Sequence, residues 1–131
     1  MDEVLKYLKE CGTFYLATNE ADQPRVRPFG AICKFEGKLY IITNNKKNVY
    51  SQMRSNPKIE ITGMNKGTWI RVECEALPDE RREARVAMME EYPTSLSKMY
   101  SVDDNLMEVF YLQNGKATIY SMTDVPKVIN F

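Results

Sequence analysis

Residues 25–57 read RVRPFGAICKFEGKLYIITNNKKNVYSQMRSNP and are the most informative stretch of the sequence. They predict two β-strands, over 25–35 and 39–43, then a polar loop and a short helix over 47–55 that an Asn-Pro pair ends. Cationic side chains, hydroxyls and a helix start therefore lie close together. Unpaired N–H groups and the positive dipole end at a helix start attract anions, and lysines add charge. The stretch predicts a phosphorylated ligand on a β scaffold.

A second interpretation of the same residues stays open at this point. Lys46 and Lys47 lie in a polar loop, where lysines are usually solvated. Arginines in a strand, such as Arg25 and Arg27, often lie on an exposed face. No single motif in the stretch is as diagnostic as a P-loop.

Length and composition bound the class of protein. The chain of 131 residues is 44% hydrophobic and 27% charged, which is ordinary for one globular domain. Its 18 basic and 18 acidic residues give a formal net charge of zero, which disfavours broad binding to nucleic acid or anionic membranes. The N-terminus lacks the features of a signal peptide, and no apolar run is long enough to cross a bilayer. We expect a cytoplasmic protein.

Cysteine and histidine content narrows the chemistry. Cys11, Cys33 and Cys74 form no C-x-x-C pair and fit a reducing compartment. The chain has no histidine, so Ser-His and Cys-His nucleophilic machinery is excluded and a zinc site is not expected. Any chemistry must therefore come from other side chains or from a bound cofactor.

The rest of the chain predicts further strands and helices and one hairpin. Alternation and turn signals predict helices over 2–11 and from 78–80 onward, strands over 13–19, 59–64 and 68–77, and a hairpin of 107–113 and 116–122 around Asn114-Gly115. Pro28 within its strand indicates a sheet edge or a bulge. The last residues, 123–131, are expected to be a loosely held tail. The pattern predicts a mainly β protein, a closed β-barrel with flanking helices.

Six segments, in this order, carry a resemblance to a known family: 12–18, 24–30, 37–43, 47–53, 56–57 and 67–74. The chain resembles the pyridoxamine 5′-phosphate oxidase-like, FMN-binding split-barrel family in its short single-domain form. The resemblance implies a six-stranded split β-barrel over residues 1–122, followed by the tail. It also implies an FMN cofactor in a groove between the two subunits of a homodimer.

The same resemblance assigns cofactor-binding residues. Arg27, Pro28 and Phe29 match the strand that runs along the flavin. The loop and helix that hold the phosphate and ribityl chain are matched by Thr43, Asn44, Lys47 and Gln52. The strand that reaches the flavin, often from the other subunit, is matched by Trp69 and Arg71. No side chain is assigned as a catalytic acid or base, and no residue as a metal ligand.

The implied function is a small FMN-dependent oxidoreductase that acts on an unidentified small molecule. The segment with an arginine- and histidine-containing motif that the true oxidase uses for its substrate is missing from the C-terminal part of the sequence, so oxidation of pyridoxamine 5′-phosphate is not expected. Three alternatives remain: a flavin-storage or redox-sensing module, an interaction protein that has lost the cofactor, and a related protein that binds a deazaflavin or haem.

Overall fold

A computed structural model describes all residues, 1–131, and is mainly β. Its twelve elements follow one another as α1 (Asp2–Cys11), β1 (Phe14–Glu20), β2 (Gln23–Phe29), β3 (Ile32–Phe35), β4 (Lys38–Asn44), α2 (Asn48–Ser55), β5 (Lys58–Asn65), β6 (Thr68–Asp79), α3 (Arg82–Glu91), α4 (Pro93–Ser97), β7 (Met107–Ser121) and β8 (Lys127–Asn130). No helix is long and apolar enough to cross a membrane.

All eight strands belong to one antiparallel sheet that curves into a barrel. The strand order is β2-β1-β5-β6-β7-β4-β3, and β8 pairs with β7. The two ends of this path, β2 and β3, are separated in the chain only by Gly30 and Ala31. Such a short link keeps the ends of the sheet close together although β2 and β3 do not pair. The predicted split-barrel fold is confirmed, with eight strands rather than six.

The predicted hairpin around Asn114-Gly115 is wrong, because β7 runs through these residues without turning. Asn114 takes a positive φ of 53°, and its side chain donates to Glu75 of β6 at 2.8 Å. The pairing of β6 with β7 shifts between Glu73 and Glu75, which marks a β-bulge. An Asn-Gly pair suits a tight turn because it tolerates positive φ, and a bulge uses the same tolerance.

The expected loose tail is also corrected by the structure. β8 pairs with β7 over four residues, and beyond it Phe131 exchanges two backbone hydrogen bonds with Gly115, of 2.7 and 2.9 Å. A Cβ atom at Gly115 would lie 2.3 Å from the Phe131 ring, so only glycine leaves room for that ring. The bulge and the last strand therefore fit together at one glycine.

Two smaller differences concern the limits of predicted elements. The strand predicted over 25–35 is interrupted at Gly30. Pro28 lies on the terminal strand β2, which confirms its predicted edge position. The helix expected from 78–80 begins only at Arg82, because Pro78 and Asp79 still pair with β7. Proline fixes φ at a value that both a helix start and an extended strand accept, so the sequence signal is ambiguous.

Two apolar clusters hold the barrel and its helices. The larger contains 18 buried residues, among them Phe14, Leu16 and Ile61, and α1 packs on it through Val4 and Leu8. The smaller contains eight buried residues and lies under α3 and α4, which contribute Met88 and Leu96. α4 is thereby held beside the link between β2 and β3.

A half-buried carboxylate links β4, β6 and the start of α3. Asp79 accepts hydrogen bonds from the Tyr40 hydroxyl at 2.7 Å and from Arg81 at 2.9 and 3.1 Å. These bonds, those of Arg81 foremost, lower the pKa of Asp79 to about 2. Because folding depresses this pKa, the stabilisation is complete above about pH 4 and is lost as the pH falls towards 2.

Replacing Asp79 by asparagine should therefore lower the free energy of unfolding at pH 7 by about 2 kcal/mol and remove part of the acid sensitivity. Urea unfolding of both proteins at pH 7 and pH 3 measures this. Asp103→Asn is the matched control, since Asp103 also pairs with an arginine but its side chain is 65% exposed. Its loss should be clearly smaller than that at Asp79, because solvent screens an exposed ion pair. An equal loss at both carboxylates would contradict the prediction.

Candidate functional site

A cavity of about 320 Å³ lies where β2 passes into β3, beside α4 and the end of β4. Five of the nine predicted site residues line it: Arg27, Pro28, Phe29, Thr43 and Lys47. These residues are separated by up to 20 positions in the sequence, so the fold brings together the two segments that the sequence associated with phosphate and flavin. No carboxylate lines the cavity.

Arg27 is held at the cavity by three hydrogen bonds. Its Nη1 donates to the Thr18 hydroxyl at 2.8 Å and to the Leu16 carbonyl at 3.2 Å, and its Nη2 donates to Gln52 Oε1 at 2.6 Å. Burial and then the charge of Arg25 lower the pKa of Arg27. The Nε–H and one Nη2–H make no hydrogen bond within the chain. The guanidinium is therefore fixed and keeps donors for a ligand.

Thr43, at the end of β4, carries a buried hydroxyl with no partner. Its side chain is 4% exposed, and its Oγ1 makes no hydrogen bond in the chain. A buried hydroxyl without a partner costs about 1–3 kcal/mol. Unsatisfied polar groups of this kind are rare in folded proteins and often mark the place of a ligand or an ordered water.

Lys47 precedes the first residue of α2 and makes no ion pair or side-chain hydrogen bond. No side chain caps this helix, so its first N–H groups lack a side-chain acceptor. Val49 in the first turn lines the cavity with Lys47. Lys47, the first turn of α2 and Thr43 thus all contribute to the cavity wall, and a lysine beside a helix start favours an anion.

Asn44 and Gln52, two other predicted binders, do not line the cavity but support residues that do. Gln52 is buried behind Arg27 and accepts from both Arg27 and Thr18. The Asn44 amide donates to the Tyr100 hydroxyl at 2.9 Å, while its Oδ1 accepts the Lys46 backbone N–H at 3.0 Å. Their structural contacts are therefore with other side chains and with the loop backbone.

Trp69 and Arg71 lie away from the cavity, on the outer face of the sheet. Trp69 stacks on Tyr120 with ring centroids 5.5 Å apart, and the Arg71 guanidinium lies 5.0 Å from the centroid of the same ring. Within one chain these residues do not share the cavity with Arg27 and Lys47. Their predicted role requires a second subunit.

Three residues of the site were assigned no role from the sequence. Thr18 of β1 forms part of the Arg27 network. Tyr92, directly before α4, and Tyr100, in the loop after it, line the cavity. The order of apolar residues around 92–100 gives no clear period, and tyrosine is common in β cores. A polar threonine in an otherwise apolar strand face is the one signal that could have identified Thr18.

A larger concavity, of about 590 Å³, lies on another face and is acidic. Glu60, Glu73 and Glu75 line it together with a single lysine, Lys58. Three carboxylates repel a phosphate, so this concavity does not suit the phosphorylated ligand that the sequence predicts. The smaller, cationic cavity does.

A comparison with protein families agrees with this geometry. A family model described as pyridoxamine 5′-phosphate oxidase matches residues 1–120. The chain belongs to the pyridoxamine 5′-phosphate oxidase family. The resemblance identified from the sequence is thereby confirmed. A search of curated proteins found no match.

Solved structures extend the comparison for this member of the pyridoxamine 5′-phosphate oxidase family. A NimC/NimA family protein from Clostridium acetobutylicum is 52% identical, with a TM-score of 0.97 over 100% of this chain and 92% of that chain. A FAD-binding protein from Mesorhizobium loti is 14% identical (TM-score 0.64; 91% and 94% covered), and the heme storage protein HutZ from Vibrio cholerae is 16% identical (TM-score 0.67; 86% and 87% covered). The last two share the fold.

Proposed function

We propose that the protein binds FMN in the cationic cavity and acts as a small flavin-dependent oxidoreductase. The observation that carries the proposal is a cavity that holds two cationic side chains, Arg27 and Lys47, and no carboxylate, with Thr43 and its unsatisfied hydroxyl in the cavity wall. A terminal phosphate carries about two negative charges and oxygens that accept hydrogen bonds. It would satisfy the hydroxyl and balance Arg27 and Lys47 together.

The wall around Arg27 suits the rest of a flavin mononucleotide. Arg27 is held by Thr18, Leu16 and Gln52, so its free N–H groups keep one direction. Phe29 and Pro28 offer apolar surface next to that guanidinium. When bound, the flavin would supply the redox chemistry, and the residues of this chain bind and orient it.

Flavin is favoured over haem by the side chains present. Histidine is the common axial ligand of haem, and this chain has none. Proteins named for haem or FAD share the fold of this chain, but they are only 14–16% identical to it. The choice between the two cofactors therefore rests on the side chains of this protein. A deazaflavin stays a lesser candidate. The three cysteines are unpaired, which supports the cytoplasm as the compartment.

FMN titration into the purified protein is the direct test. We expect absorption bands of bound flavin, and riboflavin, which lacks the phosphate, should bind at least tenfold more weakly. Equal binding of FMN and riboflavin would contradict the phosphate site, and absence of flavin binding would contradict the proposal as a whole.

A flavin-storage or redox-sensing module is the second candidate function, because it needs the same cavity. No side chain of the site is a clear catalytic acid or base, which is the observation that favours it. Turnover of the FMN-loaded protein with a reduced nicotinamide donor and a dye acceptor, compared with free FMN, separates the two functions. Turnover above the free-FMN rate supports the oxidoreductase.

We expect the protein to be a homodimer, with FMN between the subunits. Tyr15, Val26 and Met64 are 46%, 67% and 71% exposed and share the outer face of the sheet with Trp69 and Arg71. A second copy would cover this apolar surface and bring Trp69 and Arg71 to the cavity of its partner.

Light scattering of the FMN-loaded protein should therefore give twice the 15.2 kDa of one chain. Met64→Lys should shift the equilibrium towards the monomer and weaken FMN binding as well. Lys66→Glu, a change on the neighbouring turn, serves as the control for altered charge and should have neither effect. A monomer at micromolar concentration would contradict the dimer.

We also expect no useful oxidation of pyridoxamine 5′-phosphate. That substrate carries its own phosphate, and FMN would already occupy both cationic side chains of the cavity. Without fixed donors the substrate is misplaced, and about 1 Å of misplacement can cost around a hundredfold in rate. Incubation with the substrate and oxygen measures this, and sustained aldehyde formation above the free-FMN background would show the expectation wrong.

A further inference from the structure

We propose that the Tyr100 hydroxyl donates a hydrogen bond to a second molecule in the cavity, a small uncharged compound with an accepting oxygen or nitrogen atom. The inference rests on the proposed function, because it assigns the molecule that binds beside the FMN. The assignment of Tyr100 depends on the direction of one hydrogen bond and on the charges of the cavity wall.

The direction follows from the Asn44 amide. The Lys46 backbone N–H donates to Asn44 Oδ1 at 3.0 Å, so this atom is the oxygen and the other side of the amide is the NH₂ group. That group lies 2.9 Å from the Tyr100 hydroxyl and donates to it. The hydroxyl is therefore an acceptor from Asn44, and its own proton has no partner within the chain.

Tyr92, the other tyrosine of the cavity wall, has no such free proton. Its hydroxyl accepts the Ile32 N–H at 3.2 Å and donates to the Ile32 carbonyl at 3.0 Å. Both capacities are used in holding the end of α3 against β3. Of the two tyrosines that line the cavity, only Tyr100 has a proton to give to a ligand.

The class of the second molecule follows from the remaining wall. Once a phosphate balances Arg27 and Lys47, no further cationic side chain lines the cavity, so a second anion lacks a partner. A cation lacks one as well, because no carboxylate is present. Ala31, Leu96 and Met99 make the wall near Tyr100 apolar. A compact apolar body with one acceptor atom matches this surface.

Two variants test the role of the proton in the FMN-loaded protein. Tyr100→Phe removes the hydroxyl. Asn44→Asp keeps the hydroxyl but replaces the NH₂ group by an accepting oxygen, so that the Tyr100 proton turns to the carboxylate. The probes are benzamide, which carries an accepting carbonyl, and toluene, which has no acceptor. Binding is followed by ligand-observed NMR and by the shift of the flavin absorption bands.

Benzamide should bind wild type more tightly than toluene does, and both variants should weaken benzamide about three- to tenfold while leaving toluene within twofold. Retained benzamide affinity in both variants, or no preference for benzamide in wild type, would overturn the inference. Both variants and wild type are compared at saturating FMN, so that the probes report on the same FMN-loaded site. If FMN binds and the probes do not discriminate, only this inference fails; if FMN does not bind, the proposed function fails with it.

Discussion

Replacing Lys47 by alanine is expected to weaken FMN binding by roughly ten- to a hundredfold, because a charge-assisted contact to phosphate contributes about 1.5–3 kcal/mol. Riboflavin has no phosphate and should lose less than threefold. The difference between the two ligands isolates the phosphate contact from any general damage to the cavity. Fluorescence quenching of each flavin on titration provides both dissociation constants.

Lys46→Ala is the matched control for that experiment. Lys46 is the adjacent lysine of the same loop and is also exposed, but it does not line the cavity. Its replacement removes the same charge from the same segment and should change FMN affinity less than threefold. Equal losses at Lys46 and Lys47 would mean that only the overall charge of the loop attracts the ligand, and no loss at Lys47 would place it on the surface.

Thr43→Val is expected to change stability and binding in opposite directions. Valine has the shape of threonine without the unsatisfied hydroxyl, so in the absence of FMN the free energy of unfolding should rise by about 1–3 kcal/mol. FMN affinity should fall by roughly five- to thirtyfold if the phosphate uses this hydroxyl. Thermal unfolding with and without FMN measures both effects.

Thr18→Val provides the contrast. Thr18 is as buried as Thr43, but its hydroxyl donates to Gln52 at 2.5 Å and accepts from Arg27 at 2.8 Å. Its removal leaves two polar groups without their partner and should destabilise the FMN-free protein. A stabilised Thr18→Val, or a destabilised Thr43→Val, would contradict the assignment of the unsatisfied hydroxyl.

Much of the fold could be predicted because its strands carry strict alternation. In β6, Ile70, Val72 and Cys74 are buried and alternate with charged residues, as the sequence indicated. The errors arose where one local signal serves two backbones. Asn114-Gly115 suits a turn or a bulge, and only the pairing of β6 with β7 decides between them.

The candidate site was predictable to the extent that its residues lie at strand ends. Arg27 and Thr43 come from two such ends that the barrel places at one cavity. Tyr100 was not predictable, because its position depends on the packing of α4 on the smaller apolar cluster. Asn44 was assigned to the ligand, while the structure shows its amide directed at Tyr100. Side-chain direction of this kind depends on tertiary contacts.

The two-residue link between β2 and β3 has a dynamic consequence. Gly30 and Ala31 line the cavity and also join the unpaired ends of the sheet, so fluctuations that separate these strands would open the ligand site as well. A ligand that binds only the closed arrangement must suppress such local opening in proportion to its occupancy. Amide hydrogen exchange in β2 and β3 should therefore slow on FMN binding, while that of the β5–β6 pair stays unchanged.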